Sequence, residues 1–92
     1  MRVRWTAEAR SDLVRIHRFL APVNRRAAAA ALRRLRAGPV RLLYANPRLG
    51  TRLPVYESRE IRRLIVDDYD LRYEIRAATI LIVRVWHVRE DR

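Results

Sequence analysis

Apolar positions along this chain change their spacing past its middle. From residue 7 to residue 20, Ala9, Leu13, Ile16 and Leu20 recur at helical spacing, with Val14 and Phe19 widening the stripe, so one face of a helix should be buried here. Thr6 is placed to cap that helix and Glu8 falls in its positive first turn, while Pro22 ends it by disfavouring helical geometry at Ala21. Ahead of it, Arg2-Val3-Arg4-Trp5 alternates as a short strand does. Asn24 can cap a second helix with the strongly helical interior RRAAAAALRRLRA, whose inner face is Ala28, Ala31, Leu32 and Leu35. Two adjacent helices joined so briefly form an antiparallel hairpin, and the alanines permit close approach of another helix. Gly38-Pro39 is expected to break or kink the second helix, with Val40, Leu42 and Leu43 in a further short helical piece. Residues 46 to 54, NPRLGTRLP, read as the loop from helices to sheet.

From Arg59 to Glu90 the period drops to two. Asp67-Asp68 and Ala77-Ala78 cut this stretch into three strand-length pieces, and connections so short force antiparallel hairpins, hence a three-strand meander. In the middle strand Tyr69, Leu71, Tyr73 and Ile75 face one way, and Asp70, Arg72, Glu74 and Arg76 the other. The last strand, TILIVRVWHV, is apolar on both sides until near its end, as an interior strand is. The expected architecture is α+β over residues 1–92 as one domain: an N-terminal strand, then an antiparallel helical hairpin packed on a small antiparallel sheet that ends in the meander. The face of the sheet turned away from the helices is left partly open, carrying Asp70, Arg72 and Glu74.

Charge adds a polarity to this plan. The net charge is +11 and every basic side chain is arginine. A catalytic lysine is therefore excluded, and fixed guanidinium forks suit phosphate or carboxylate binding rather than base catalysis. Leu13 to Tyr56 holds ten arginines and no acid, whereas residues 57–92 balance eight acids against eight arginines. An acidic partner should meet the helical half. Arg26, Arg33 and Arg36 project from a side of the second helix other than its inner face, either as a solvated surface or as a docking surface for that partner. With no cysteine and two histidines, the chain offers neither disulfides nor a convincing metal site, and no cofactor is expected. No apolar run reaches membrane-spanning length and MRVRWTAEAR lacks the core of a signal peptide, so a cytoplasmic location without membrane partners is expected. Phosphate-binding glycine loops, nucleophile elbows and paired-histidine helices are missing from the sequence. His87, near the end of the last strand, is either an acid or base working near neutral pH or a hydrogen-bonded residue at the sheet's end. Tyr69 and Tyr73 read as core.

Four patterns occur in order: Ala9-x-x-Asp12-Leu13-x-x-Ile16; Asn46-Pro47-x-x-Gly50; Ile61-Arg62-Arg63-Leu64 with Tyr69-x-Leu71-x-Tyr73; and Val85-Trp86-His87-x-Arg89-Glu90-Asp91. Together, from Trp5 to Asp91, they resemble the RelE/ParE superfamily of toxins from type II toxin-antitoxin systems. The resemblance implies a toxin neutralised by, and assembled with, a cognate acidic antitoxin. RelE-like members cut mRNA on the ribosome with basic and aromatic side chains of the open sheet face; ParE-like members poison DNA gyrase and lack that set. The two lysine positions typical of RelE-like enzymes fall on Ile61 and Arg63, Asp70 stands where they usually have arginine, and Arg89 matches a further basic position. Their C-terminal tyrosine has no counterpart in the sequence up to Arg92. Two arginines supply charge but no group to activate a 2′-hydroxyl. The resemblance thus implies a ParE-like, non-enzymatic gyrase inhibitor. The alternatives are a ribosome-dependent mRNA endonuclease built on Arg63, His87 and Arg89, or a module that binds antitoxin without toxicity.

Overall fold

Side-chain caps start both helices. Thr6 Oγ1 accepts from the Ala9 N–H at 3.1 Å and Asn24 Oδ1 from the Ala27 N–H at 3.0 Å, each satisfying a first-turn donor that has no partner inside the helix. The computed structural model describes residues 1–90; Asp91, last in the C-terminal motif, and Arg92 lie outside the described residues. The elements in order are β1 (Arg2–Trp5), α1 (Ala7–Leu20), α2 (Arg25–Ala45), β2 (Thr51–Arg52), β3 (Glu60–Val66), β4 (Tyr69–Arg76) and β5 (Thr79–His87). No helix among the described residues is long and apolar enough to cross a membrane.

Helix α2 departs from expectation. It does not end at Gly38 but runs through Pro39 to Ala45. Proline at that point removes one helical hydrogen bond. Leu35, Pro39 and Leu43, four residues apart along one line of the helix, are all buried, and their burial holds the last two turns in place. The loop that follows contains the short strand β2, with Thr51 opposite Arg63 and Arg52 opposite Arg62. One hydroxyl pins this loop. Tyr73 donates to the Pro47 carbonyl at 2.8 Å and accepts from the Gly50 N–H at 2.9 Å. A Cβ at Gly50 would lie 2.8 Å from the Arg63 carbonyl and 2.9 Å from the tyrosine ring, so the Asn46-Pro47-x-x-Gly50 pattern marks a close approach of backbone to core.

The five strands lie in the order β1-β5-β4-β3-β2. The meander β3–β5 is antiparallel as expected, turning at Asp67 and Ala77 with φ of 53° and 52°. The whole sheet is mixed, because β1 lies parallel to β5, Val3 beside Ile80 and Trp5 beside Ile82. Both helices and three strands intervene between those two strands, which is ample chain for a crossover. The helices cover one sheet face, joining Ala9, Leu13, Ile16, Leu32, Leu35 and Leu43 to Leu64, Leu71, Tyr73, Ile80, Ile82 and Val85 in a single core.

A bulge in β5 decides which side chains enter that core. Arg72 stands opposite Arg84 but Tyr73 opposite Ile82, which leaves Val83 as an extra residue. Inward-facing positions are Ile80 and Ile82 before it, and Val85 and His87 after it; Arg84 and Trp86 are turned out. Helix α1 and its cap satisfy the backbone groups around the irregularity. Thr6 Oγ1 donates to the Val83 carbonyl at 3.2 Å, the Asp12 carboxylate accepts from the Val85 N–H at 2.9 Å, and Arg15 Nη2 donates to the Val85 carbonyl at 2.7 Å. Asp12 also takes Arg84 at 2.8 Å and pairs with Arg15, which in turn grips Glu90 at 2.7 and 3.1 Å.

Candidate functional site

On the sheet face turned away from the helices, antiparallel register groups Ile61, Arg63 and Ile65 of β3 with Asp70, Arg72, Glu74 and Arg76 of β4 and Leu81, Arg84 and Trp86 of β5. The expected opening of this face at Asp70 and Glu74 is corrected by their burial, to 0% and 3% exposure. Arginines fold over them. Arg63 reaches Asp70 Oδ2 with Nε at 3.1 Å and Nη2 at 2.8 Å, and Arg59 grips Glu74 at 3.1 and 2.9 Å with Arg76 at 3.4 Å. The hydrogen bonds from Arg59 hold the Glu74 carboxyl below its ordinary range, and Asp70 holds Arg63 more firmly protonated. Arg72 and Arg84 place their guanidinium carbons 5.0 and 4.8 Å from the centroid of the Trp86 ring. Ile61 is buried. Arginine charge here is spent on neighbouring carboxylates and an indole.

His87 is on the other face. Its ring is buried against Phe19 and Tyr69, centroids 5.4 Å away in each case, and its Nδ1 accepts from the Arg89 N–H at 3.1 Å. The sheet therefore lies between Arg63 and His87, and only His87 and Arg89 are brought together, through a backbone bond. Tyr73 is engaged by the loop and Tyr69 by the core, and burial pushes both phenols up. Arg63, His87 and Arg89 together form no common pocket for a scissile phosphate, because His87 and Arg89 line a groove that Arg63 does not reach. Among the described residues no group of three or more His, Asp or Glu could hold a metal ion.

What the helical face of the molecule does present is a groove of about 1120 Å³ between the hairpin and the tip of β3–β4. Its apolar lining comes from Phe19, Leu20 and Val23, from Ala27, Ala28, Ala31 and Leu35 of α2, and from Tyr69 and His87 of the sheet. Val23 is 91% exposed at its mouth. Arg33, Arg34, Arg41 and Arg89 stand along it, with Asp67 and Asp68 at the strand turn. Of the three docking arginines expected from sequence, Arg33 lines this groove, Arg26 is exposed on the same helix without lining it, and Arg36 lines a separate cleft. Phe19, expected on the buried stripe of α1, is instead 43% exposed and lines the groove, and the expectation overlooked Val23, Arg34 and Arg41. The alanine stripe of α2 was the available signal, because small residues leave room for a neighbour that the described residues do not supply.

A family model described as ParE toxin of type II toxin-antitoxin system, parDE, matches residues 3–92. Among solved structures the chain is similar to one described as a chromosomal ParDE TA system from P. aeruginosa, at 22% identity and a TM-score of 0.76, with 97% of each chain covered. At that identity the likeness speaks for the fold. No curated protein matches the chain.

Proposed function

The chain belongs to the ParE toxin family of type II toxin-antitoxin systems, and from this we propose that it inhibits DNA gyrase in the cytoplasm without catalysing a reaction, and that a cognate acidic antitoxin holds it inactive in a hetero-oligomer. The observation that carries the reading is the division of Arg63 from His87 by the sheet. RNA cleavage needs a base for the 2′-hydroxyl, charge at the phosphate and an acid for the leaving oxygen within reach of one another. Here Arg63 is neutralised by Asp70 and the His87 ring is buried on the opposite face with Nδ1 occupied.

The antitoxin reading draws on the groove. An amphipathic helix with acidic flanks could lay its apolar side on Phe19, Ala31 and Tyr69 while its carboxylates met Arg33, Arg34 and Arg41. Arg26 stands two turns before Arg33 on nearly the same line of α2.

Purified protein added separately to a gyrase supercoiling assay and to a translating ribosome tests the proposal. Loss of supercoiling with intact mRNA is the expected result, and added antitoxin should restore supercoiling. Cleavage of ribosome-bound mRNA that disappears in His87→Ala would overturn it in favour of the nuclease. No effect in either assay, with antitoxin binding intact, would leave a non-toxic binding module.

A further inference from the structure

Most arginines of the sheet and its flanks are answered by a carboxylate: Arg15 and Arg84 by Asp12, Arg48 and Arg62 by Glu60, Arg59 and Arg76 by Glu74, Arg63 by Asp70. Apart from the lip of the large groove, one cluster breaks this pattern. Arg4 of β1, Arg10 of α1 and Arg36 of α2 line a cleft of about 420 Å³ together with Val3, Trp5 and Leu13. No carboxylate lines it, and among the described residues none of the three arginines has an ion-pair partner.

The cleft lies along the open edge of the sheet. The N–H groups of Arg2 and Thr6 turn to β5, so Val3 and Trp5 point their backbone groups away from it. Arg10 is drawn to that edge by donating from Nη1 to the Trp5 carbonyl at 3.3 Å. Three guanidinium groups gathered from three elements repel one another unless an anion fills the space between them. Arg25 extends the track: it is exposed, and it stands three turns from Arg36 on nearly the same line of α2, about 16 Å away at the helical rise.

We propose that this cleft binds the phosphodiester backbone of duplex DNA. A track of unanswered guanidinium forks that continues beyond one cleft fits a polymer with a charge at every step, and each fork can take a phosphate bidentately. A protein segment would bury more apolar surface in the large groove, which lies on the opposite flank of α2, roughly 150° around the helix from Arg36 at Arg34 and Arg41. Both sites can therefore be filled at once. The inference goes beyond gyrase inhibition and does not depend on it.

Fluorescence anisotropy with a short labelled duplex of arbitrary sequence and the antitoxin-free chain provides the test, with no gyrase present, so that its failure leaves the toxin reading untouched. Two variants of equal net charge are compared: Arg4→Gln with Arg10→Gln and Arg36→Gln, and Arg33→Gln with Arg34→Gln and Arg41→Gln. The cleft variant should lose at least about tenfold in affinity, and its log-log salt slope should flatten by nearly three, at roughly 0.9 per phosphate contact. The groove variant should keep most of its slope. Equal losses in the two variants, or no change in the cleft variant, would sink the proposal. So would a labelled polyglutamate peptide that depends on the cleft while the duplex does not. Thermal unfolding checks each fold, and Arg4→Gln with Arg36→Gln, which spares the Arg10 bond to Trp5, serves if the triple variant does not fold.

Discussion

Asp12 lies beside what reads as a simple helical stripe, yet its carboxylate holds the far end of the chain in place. It is 3% exposed and accepts from the Val85 N–H, Arg84 and Arg15. Burial alone would push its carboxyl up, but these hydrogen bonds outweigh burial and hold it below its ordinary value of 3.8. Asp12→Asn should cost roughly 2 kcal/mol in urea unfolding at neutral pH. The figure falls short of that for a fully buried pair because the Arg15 and Arg84 side chains stay 39% and 45% exposed and water screens what is lost. Glu74 and Glu90 are likewise depressed below 4.5, by hydrogen bonds from Arg59 and Arg15 respectively. For all three groups the unfolded chain binds protons more readily than the folded one. Their contribution is complete above about pH 4.5 and disappears as pH falls through the lower folded values. Wild type should therefore lose stability below pH 4.5 faster than Asp12→Asn, and the two should converge in acid; parallel curves would mean that Asp12 is not ionised in the fold. The same locked bulge explains why His87 was hard to place from sequence. Strict alternation from Ile80 would put His87 on the outer face, the face that carries Arg63, and the extra residue at Val83 moves it to the inner face.

Elements whose ends are chemically marked were legible, and those set by distant contacts were not. Thr6, Asn24 and Pro22 locate α1 and the start of α2, and the two turns at Asp67 and Ala77 bound the meander. The bulge was hidden because TILIVRVWH is apolar on both sides and offers no alternation to interrupt. The parallel pairing of β1 depends on where the chain returns after five further elements, which no local signal records. Strand β2 is two residues long and exists through its pairing to β3. Gly38-Pro39 was misleading because local propensity competes with burial of Leu35, Pro39 and Leu43, and burial wins. Gly38 is therefore a helical glycine rather than a cap. A Cβ built there meets nothing within 4 Å, and its φ is not positive. Gly38→Ala should stabilise the protein by about 0.5–1 kcal/mol, read as a higher thermal midpoint. Destabilisation would show that α2 breaks at this point in solution.

At the scale of the whole molecule, the arginine-rich helices and the charge-balanced sheet divide their work. Strands β3–β5 spend their arginines on carboxylates and on Trp86, whereas Arg33, Arg34 and Arg41 have no ion-pair partner among the described residues and border an apolar groove. Lip and floor should control different steps of antitoxin binding. Exposed ion pairs are worth about 0.2–1 kcal/mol each, so neutralising the three lip arginines should weaken binding by roughly tenfold, mostly through slower association at low salt. At 1 M salt, where the Debye length is about 3 Å, the variant and wild type should bind alike. The floor responds to shape. Ala31 lines the groove and is half-buried, so Ala31→Trp fills space that an incoming helix requires. Overpacking of this kind costs roughly 1–3 kcal/mol, and it should appear as faster dissociation that persists at high salt. Stopped-flow association and dilution-induced dissociation at low and high salt separate the two effects. An antitoxin that binds Ala31→Trp as tightly as wild type does not enter the groove, whatever the lip arginines contribute to its approach.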